Sequence, residues 1–97
     1  MISISIEQLF DKYDAEYNKF DRIEYKFNVR PIMHALVILV KLIPVDYSII
    51  NTVLDNNIYF HTNEVSLLKV ITEDQVRDLC RCGVYYDTYD NSLVMNL

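Results

Sequence analysis

Residues 29–45 read VRPIMHALVILVKLIPV and form the longest apolar run of the chain. Only His34 and Lys41 interrupt the apolar side chains between Ile32 and Ile43. A helix that is apolar on every side has to be covered on every side, by the rest of the protein or by a partner. This stretch therefore predicts the central helix of the fold.

Two prolines mark the ends of this helix. Pro31 fits its first turn, where the missing N–H costs nothing, and Asn28 fits its N-cap. Pro44 pushes the preceding residue out of the helical region, so we expect the helix to end at about Leu42. The apolar run is shorter than the roughly 20 residues of a membrane span, and we predict no contact with a membrane.

A further helix is predicted at the N-terminus. Ser5 and Gln8 have the spacing of a capping box, and the helix should run for about 20 residues, with a break near Lys19–Asp21. A short connection predicts that this helix and the central one form an antiparallel hairpin. The apolar stripe of the N-terminal helix consists of Ile6, Leu9, Phe10, Tyr13, Tyr17, Phe20, Ile23 and Phe27.

The middle of the chain carries weaker signals. Asp46 is a candidate cap for a third helix over residues 46–57. Residues 58–61 are β-prone and are interpreted as an edge strand or an extended connection. Residues 64–70 fit either a strand or a short helix, and their Leu-Leu-Lys content favours the helix. The third helix would bury Ile49, Ile50, Val53 and Leu54.

The last third of the chain has clearer signals for where a helix starts and stops. Thr72 and Gln75 form a second capping box, which predicts a helix over residues 73–82. Gly83 is the only glycine of the protein and stands where a helix needs a left-handed C-terminal residue. The buried residues of this helix should be Val76, Leu79 and Cys80.

Residues 84–97 predict a β-hairpin with Asp90–Asn91 at a two-residue turn, because both residue types tolerate positive φ. In this register Thr88 lies opposite Leu93, and a slip by one residue would mix the two faces. The core face would hold Val84, Tyr86, Leu93, Met95 and Leu97. The open face would hold Tyr85, Asp87, Tyr89, Val94 and Asn96.

Together these elements predict one α+β domain over residues 1–97, with an N-terminal helical hairpin, short helices and a C-terminal β-hairpin. Residues 63–97 follow the helix, turn, helix, hairpin order of a winged helix-turn-helix. The net charge of −5 argues against nucleic-acid binding, because phosphate contacts need clustered Lys and Arg. The helix that would read the major groove has an excess of acids, and the wing has no base.

Composition points to an interaction role. The 97 residues are 52% hydrophobic, so we expect apolar surface to remain for a partner or a second copy. Cys80 and Cys82 are too few and too close for a disulfide framework, which predicts a reducing, cytoplasmic or other intracellular setting. Residue types with AT-rich codons are abundant, as in AT-rich genomes, viral ones included.

Motifs for chemistry are lacking. A single glycine excludes the P-loop and the dinucleotide fingerprint, and no nucleophile elbow or H-E-x-x-H sequence occurs. Cys80 and Cys82 together with His34 and His61 are the one combination suited to zinc. The C-x-C spacing and the distant histidines do not match a structural zinc site. We predict no catalytic residue, no cofactor and no metal.

The sequence is therefore interpreted as a small intracellular, non-enzymatic protein-interaction module, such as an inhibitor, an adaptor or a regulatory subunit. Its partner would be another protein or a second copy, contacted by Tyr85, Asp87, Tyr89 and Asp90 of the hairpin, since tyrosine is favoured at interfaces. Homodimerisation is expected through the side of the central helix that the N-terminal helix does not reach. The alternative is an acidic, winged-helix-like regulator of nucleic-acid transactions.

Overall fold

The computed structural model describes residues 5–23, 30–42, 49–60 and 64–96. These residues form four α-helices and a four-stranded antiparallel sheet, which confirms the predicted α+β class. The helices are α1 (Ile6–Lys12), α2 (Pro31–Leu42), α3 (Glu64–Val70) and α4 (Glu73–Arg81). The strands are β1 (Ile50–Leu54), β2 (Asn57–Phe60), β3 (Val84–Asp87) and β4 (Ser92–Asn96). The predicted caps Asn28, Asp46 and Asn63, the stop at Pro44, and His61 lie outside the described residues.

Helix α4 is the element on which α1 and α2 pack. α1, α2 and β3 all contact it, and Val76 and Leu79 have no exposed surface. α2 has the predicted extent, but it packs mainly on α4 rather than on α1. Because α1 ends at Lys12 and α2 begins at Pro31, the two helices are not joined by the short connection that was predicted for a helical hairpin. The buried residues of α2 are His34, Ala35, Ile38, Leu39 and Leu42.

The prediction of a long N-terminal helix is wrong, because α1 ends at Lys12. Two short 3-10 turns follow, Asp14–Glu16 and Phe20–Arg22. Between them Asn18 has a φ of 62°, and its N–H donates to the carbonyl of Cys80 at 2.9 Å. The same carbonyl also accepts from the N–H of Gly83 at 2.9 Å, so the bond from Asn18 ties this segment to the C-terminal end of α4. The tertiary contact therefore outweighs the helical periodicity of the segment.

The prediction of a third helix is also wrong, because Ile50–Leu54 form strand β1. Asp55 and Asn56 have φ values of 51° and 65°, as a two-residue type I′ hairpin turn requires. β-Branched residues before the turn favour the strand. β2 then pairs with both β1 and β4, so it is an internal strand and neither the edge strand nor the extended connection that were the predicted alternatives. Residues 64–70 are helical, as favoured.

Of the predicted core face of the C-terminal hairpin, Val84, Leu93 and Met95 are buried and Tyr86 is half-buried, while Leu97 lies outside the described residues. The register differs from the predicted one. Val84 pairs with Met95 and Tyr86 with Leu93, which is two residues away from the predicted pairing. The connecting loop spans residues 88–91, so it is wider than a two-residue turn. A shift by two residues keeps every side chain on its face, because side chains alternate with a period of two.

Strand order completes the topology. The sheet order is β1-β2-β4-β3, so β2 lies beside the second strand of the C-terminal hairpin. With β1 set aside, the succession α2, β2, α3, α4, β3, β4 has the order of helices and strands of a winged helix. β1 extends the sheet beyond β2, and residues 6–22 lie against α4.

Candidate functional site

A cleft of about 470 Å³ lies between the N-terminal segment and strand β3. This volume is in the range of small-molecule and peptide-side-chain pockets. The N-terminal wall comes from α1 and the first 3-10 turn, the floor from the end of α4, and the opposite wall from β3 and β4. The lining residues are Phe10, Asp11, Asp14, Tyr17, Cys80, Val84, Tyr85, Tyr86 and Asn96.

Local sequence signals set the position of both walls. The Ser5 hydroxyl accepts from the N–H of Gln8 at 3.1 Å, and the Gln8 side chain accepts from the N–H of Ser5 at 2.9 Å. This capping box begins α1 and so places Phe10, which is buried against the core. On the other side, Gly83 has a φ of 95° and turns the chain from α4 into β3.

Polar contacts fasten the N-terminal wall to α4. Arg81 is mostly buried, and its Nε lies 3.2 Å from Oε2 of Glu16. Arg81 Nη1 also donates to the carbonyl of Arg22 at 3.3 Å. At the other end of the helix, Lys12 forms an ion pair with Glu73. Together with the bond from Asn18, these contacts hold residues 12–22 along α4.

The cleft carries uncompensated negative charge. Asp11 and Asp14 are exposed, and neither is in an ion pair with the residues that the structure describes. Among the described lining residues there is no lysine, arginine or histidine. Two bases next to the cleft are engaged elsewhere, Lys12 by Glu73 and Arg81 by Glu16. A cation entering the cleft would therefore meet two carboxylates free to pair with it.

The Cys80 thiol at the floor of the cleft is poorly reactive. The pKa of Cys80 is raised to about 12, mainly by burial and also by the charges of Asp14 and Glu16. Its S–H faces the carbonyl of Phe10 at 4.0 Å. Burial likewise raises the pKa of Cys82 to about 12. Because the thiolate is the nucleophile and the metal ligand, neither cysteine is prepared for that chemistry.

Tyrosine rings flank the carboxylates. Tyr17 and Tyr85 meet edge to face, with centroids 6.1 Å apart and an interplanar angle of 70°. Burial is the main cause that raises the pKa of both Tyr17 and Tyr85. Their hydroxyls therefore stay protonated at neutral pH and are able both to donate and to accept hydrogen bonds.

The predicted partner-binding residues separate into two groups. Tyr85 lines the cleft, whereas Asp87, Tyr89 and Asp90 lie at the tip of the hairpin. Asp87 Oδ1 accepts from the N–H of Tyr89 at 2.9 Å, so this carboxylate shapes the loop. Tyr89 is 92% exposed, and Asp90 borders a smaller hollow of about 200 Å³ on the outer face of the sheet.

The outer face of the sheet is less open than predicted. Val94 was expected to be accessible but has no exposed surface. It pairs with Tyr59 on one side and with Tyr85 on the other, so it lies between two large aromatic residues. Tyr59 also borders the smaller hollow near Asp90.

Sequence reasoning missed Asp11, Asp14 and Tyr17 as site residues. The spacing of the two aspartates by three residues resembles the solvated face of a helix, and Tyr17 fits its apolar stripe. A signal for their actual role would have been Asn18, a residue type that tolerates positive φ and can interrupt a helix. That interruption moves Tyr17 from the stripe to the wall of the cleft.

The described residues offer no other chemical centre. No group of three His, Cys, Asp or Glu among them is placed to hold a metal ion. His34 is buried, with its ring edge to face with Phe20 at 5.9 Å. None of the described helices combines the length and the hydropathy needed to cross a membrane. No protein-family model matches the chain, and no curated protein or solved structure shows significant similarity to it.

Proposed function

We propose that this protein is a small non-enzymatic protein-interaction module, acting as an inhibitor, an adaptor or a regulatory subunit. The observation that supports the proposal is the cleft beside β3, where Tyr17 and Tyr85 line an acidic recess next to an edge strand. Tyrosines give rigid, amphipathic contact area and are enriched in interfaces. The exposed Tyr89 at the hairpin tip extends the same polar and aromatic character.

A reducing intracellular compartment belongs to this proposal. Cys80 and Cys82 are both free and buried. Cysteines stay as free thiols in a reducing compartment, where disulfides are rare. Buried cysteines there act as small apolar residues of the core.

Site-specific photocrosslinking in cells that express the protein tests this function. A benzophenone amino acid would replace Tyr85 or Tyr89. In the control it would replace Val65, which is exposed on α3 and lines neither the cleft beside β3 nor the smaller hollow near Asp90. We expect the same discrete protein adduct from the positions of Tyr85 and Tyr89, and none from that of Val65. Adducts that are equal from all three positions, or from none, would contradict the proposal.

The winged-helix order of the strands favours a second candidate, a regulator of nucleic-acid transactions. Its recognition helix would be α4, but residues 6–22 pack along that helix. Arg77 is paired with Asp74 and Arg81 with Glu16, so neither base is available for phosphate without losing its partner. A mobility-shift titration with duplex DNA separates the candidates, because a complex that weakens steeply between 50 and 200 mM salt, roughly as counterion release predicts, would favour the regulator.

A further inference from the structure

We propose that the cleft beside β3 binds a lysine- or arginine-bearing segment of a partner protein, with the cation between Asp11, Asp14 and the rings of Tyr17 and Tyr85. The inference rests on the proposed interaction function and names the chemistry of the partner. Charge, aromatic surface and a strand edge that pairs with no described strand support it separately.

Charge complementarity is the first support. Asp11 and Asp14 line one wall, and the described lining includes no base to neutralise them. The charge of Asp14 acts at the floor of the cleft, where it adds to the burial that raises the pKa of Cys80. A guanidinium or ammonium group entering from solvent would pair with both carboxylates, whereas an acidic segment would be repelled.

The second support is the surface that surrounds these carboxylates. A cation is attracted to the face of a tyrosine ring, and Tyr17 and Tyr85 both line the cleft. The protein already makes such a contact one turn away, where Lys12 Nζ lies 5.6 Å from the centroid of the Tyr13 ring. The half-buried rings of Tyr85 and Tyr86 supply apolar surface for the methylene stem of a lysine or arginine.

The third support distinguishes a protein segment from a free amine. Among the described strands β3 pairs only with β4, so its second edge does not pair with another strand. Backbone N–H and C=O groups on such an edge are able to hydrogen-bond an extended segment, and alternate side chains of that segment then reach neighbouring pockets. A small amine offers no backbone for this pairing.

The test uses the full chain and capped octapeptides that alternate valine with arginine, lysine or glutamate. Binding is followed by fluorescence anisotropy and by amide chemical shifts of the ¹⁵N-labelled protein, up to millimolar peptide. We expect the arginine and lysine peptides to bind at least about tenfold more tightly than the glutamate peptide. The largest shifts should lie at Tyr17 and Tyr85, and the affinity should fall as salt rises.

Matched variants assign the charge effect to the cleft. Asp11→Asn with Asp14→Asn should weaken the arginine peptide about tenfold, as the loss of two charge contacts implies. Asp21→Asn with Asp55→Asn removes the same net charge from exposed positions outside the cleft and should change the affinity less than about twofold. Thermal unfolding of both variants establishes that each still folds.

The outcomes separate this inference from the broader function. Equal binding of the glutamate peptide, or an equal loss in the two double variants, would overturn the inference. So would shifts that avoid the cleft, or no shifts with the basic peptides at millimolar concentration. If photocrosslinking at Tyr85 still captures a discrete partner in those cases, the interaction function stands and only the basic chemistry of the partner is refuted.

Discussion

Replacing Gly83 by alanine tests the turn that carries the chain from α4 into the wall of the cleft. Gly83 has a φ of 95°, a region that crowds the Cβ of an L-residue. The added Cβ would lie 3.4 Å from Oδ1 of Asn18, close to an ordinary van der Waals distance. Backbone strain rather than collision should therefore dominate the effect on stability.

The magnitude follows from two opposing contributions. The left-handed region costs an L-residue about 1–2 kcal/mol relative to glycine. Alanine also restricts the unfolded chain, which offsets about 0.4–1 kcal/mol. We expect Gly83→Ala to lower the free energy of unfolding by about 1 kcal/mol, equivalent to a fall in Tm of about 4–8 °C for a domain of this size.

Urea unfolding followed by circular dichroism measures this change, and a mirror-image control identifies its cause. Residues 82–97 begin with Cys82, which allows native chemical ligation of a synthetic segment with D-alanine at position 83. The D-isomer prefers positive φ, so it should be more stable than the L-isomer. Identical midpoints for the two isomers, or an L-alanine variant as stable as the parent, would refute the strain argument.

Three further predictions concern charge, thiols and association. The hydrogen bond from Arg81 is the largest cause that lowers the pKa of Glu16 below its ordinary 4.5. The ionised Glu16 carboxylate therefore stabilises the fold fully above pH 4.5, and this stabilisation is lost as the pH falls through the lowered pKa. Glu16→Gln should flatten the acid limb of the stability curve in urea titrations at pH 2–6, and an unchanged limb would contradict this. Cys80 and Cys82 should resist a disulfide exchange reagent at pH 8 in the native protein and react fully in denaturant, and rapid native labelling would contradict their burial. Val40 is 52% exposed on α2, the helix through which dimerisation is predicted. In sedimentation experiments the parent protein should form a dimer and the Val40→Lys variant should be a monomer. A parent protein that stays monomeric at high concentration would contradict dimerisation through this face.

The start of each of two helices could be predicted because a capping box is a local interaction. Ser5 and Gln8 satisfy each other's backbone N–H groups at the start of α1, and Thr72 and Gln75 do so at the start of α4. Each pair spans three residues, so no distant part of the chain decides whether it forms. The positive φ of Gly83 was predictable for the same reason.

The two hairpin turns show where such local rules reach their limit. A two-residue turn was predicted at Asp90–Asn91, but the turn of that type lies at Asp55–Asn56. In the C-terminal hairpin the Asp87 carboxylate accepts the N–H of Tyr89, which favours the wider loop. The spacing of the apolar residues in β1 also fits one side of a helix, so only pairing with β2 decides its structure.

The cleft could not be predicted because its walls are distant in sequence. Asp11 and Asp14 face Tyr85 only because the chain leaves the helical path after Lys12 and follows the end of α4. The bond from Asn18 to Cys80 that fixes this path joins residues 62 positions apart. Neither segment alone contains the information that they meet.

The position of the N-terminal segment explains why a winged-helix order leads us to propose a protein partner. In a DNA-binding winged helix the recognition helix has to enter the major groove, and here residues 6–22 pack along α4 while Glu16 engages Arg81. The same segment that covers α4 builds a new acidic wall opposite β3. Its charge disfavours phosphate and favours lysine or arginine, so covering the helix and creating the cleft are two consequences of one packing arrangement. The variant Arg81→Met removes the ion pair with Glu16 and loosens the segment from α4. It should therefore weaken binding of the basic peptide without creating salt-sensitive DNA binding. A gain of DNA binding would show instead that the segment masks a recognition helix.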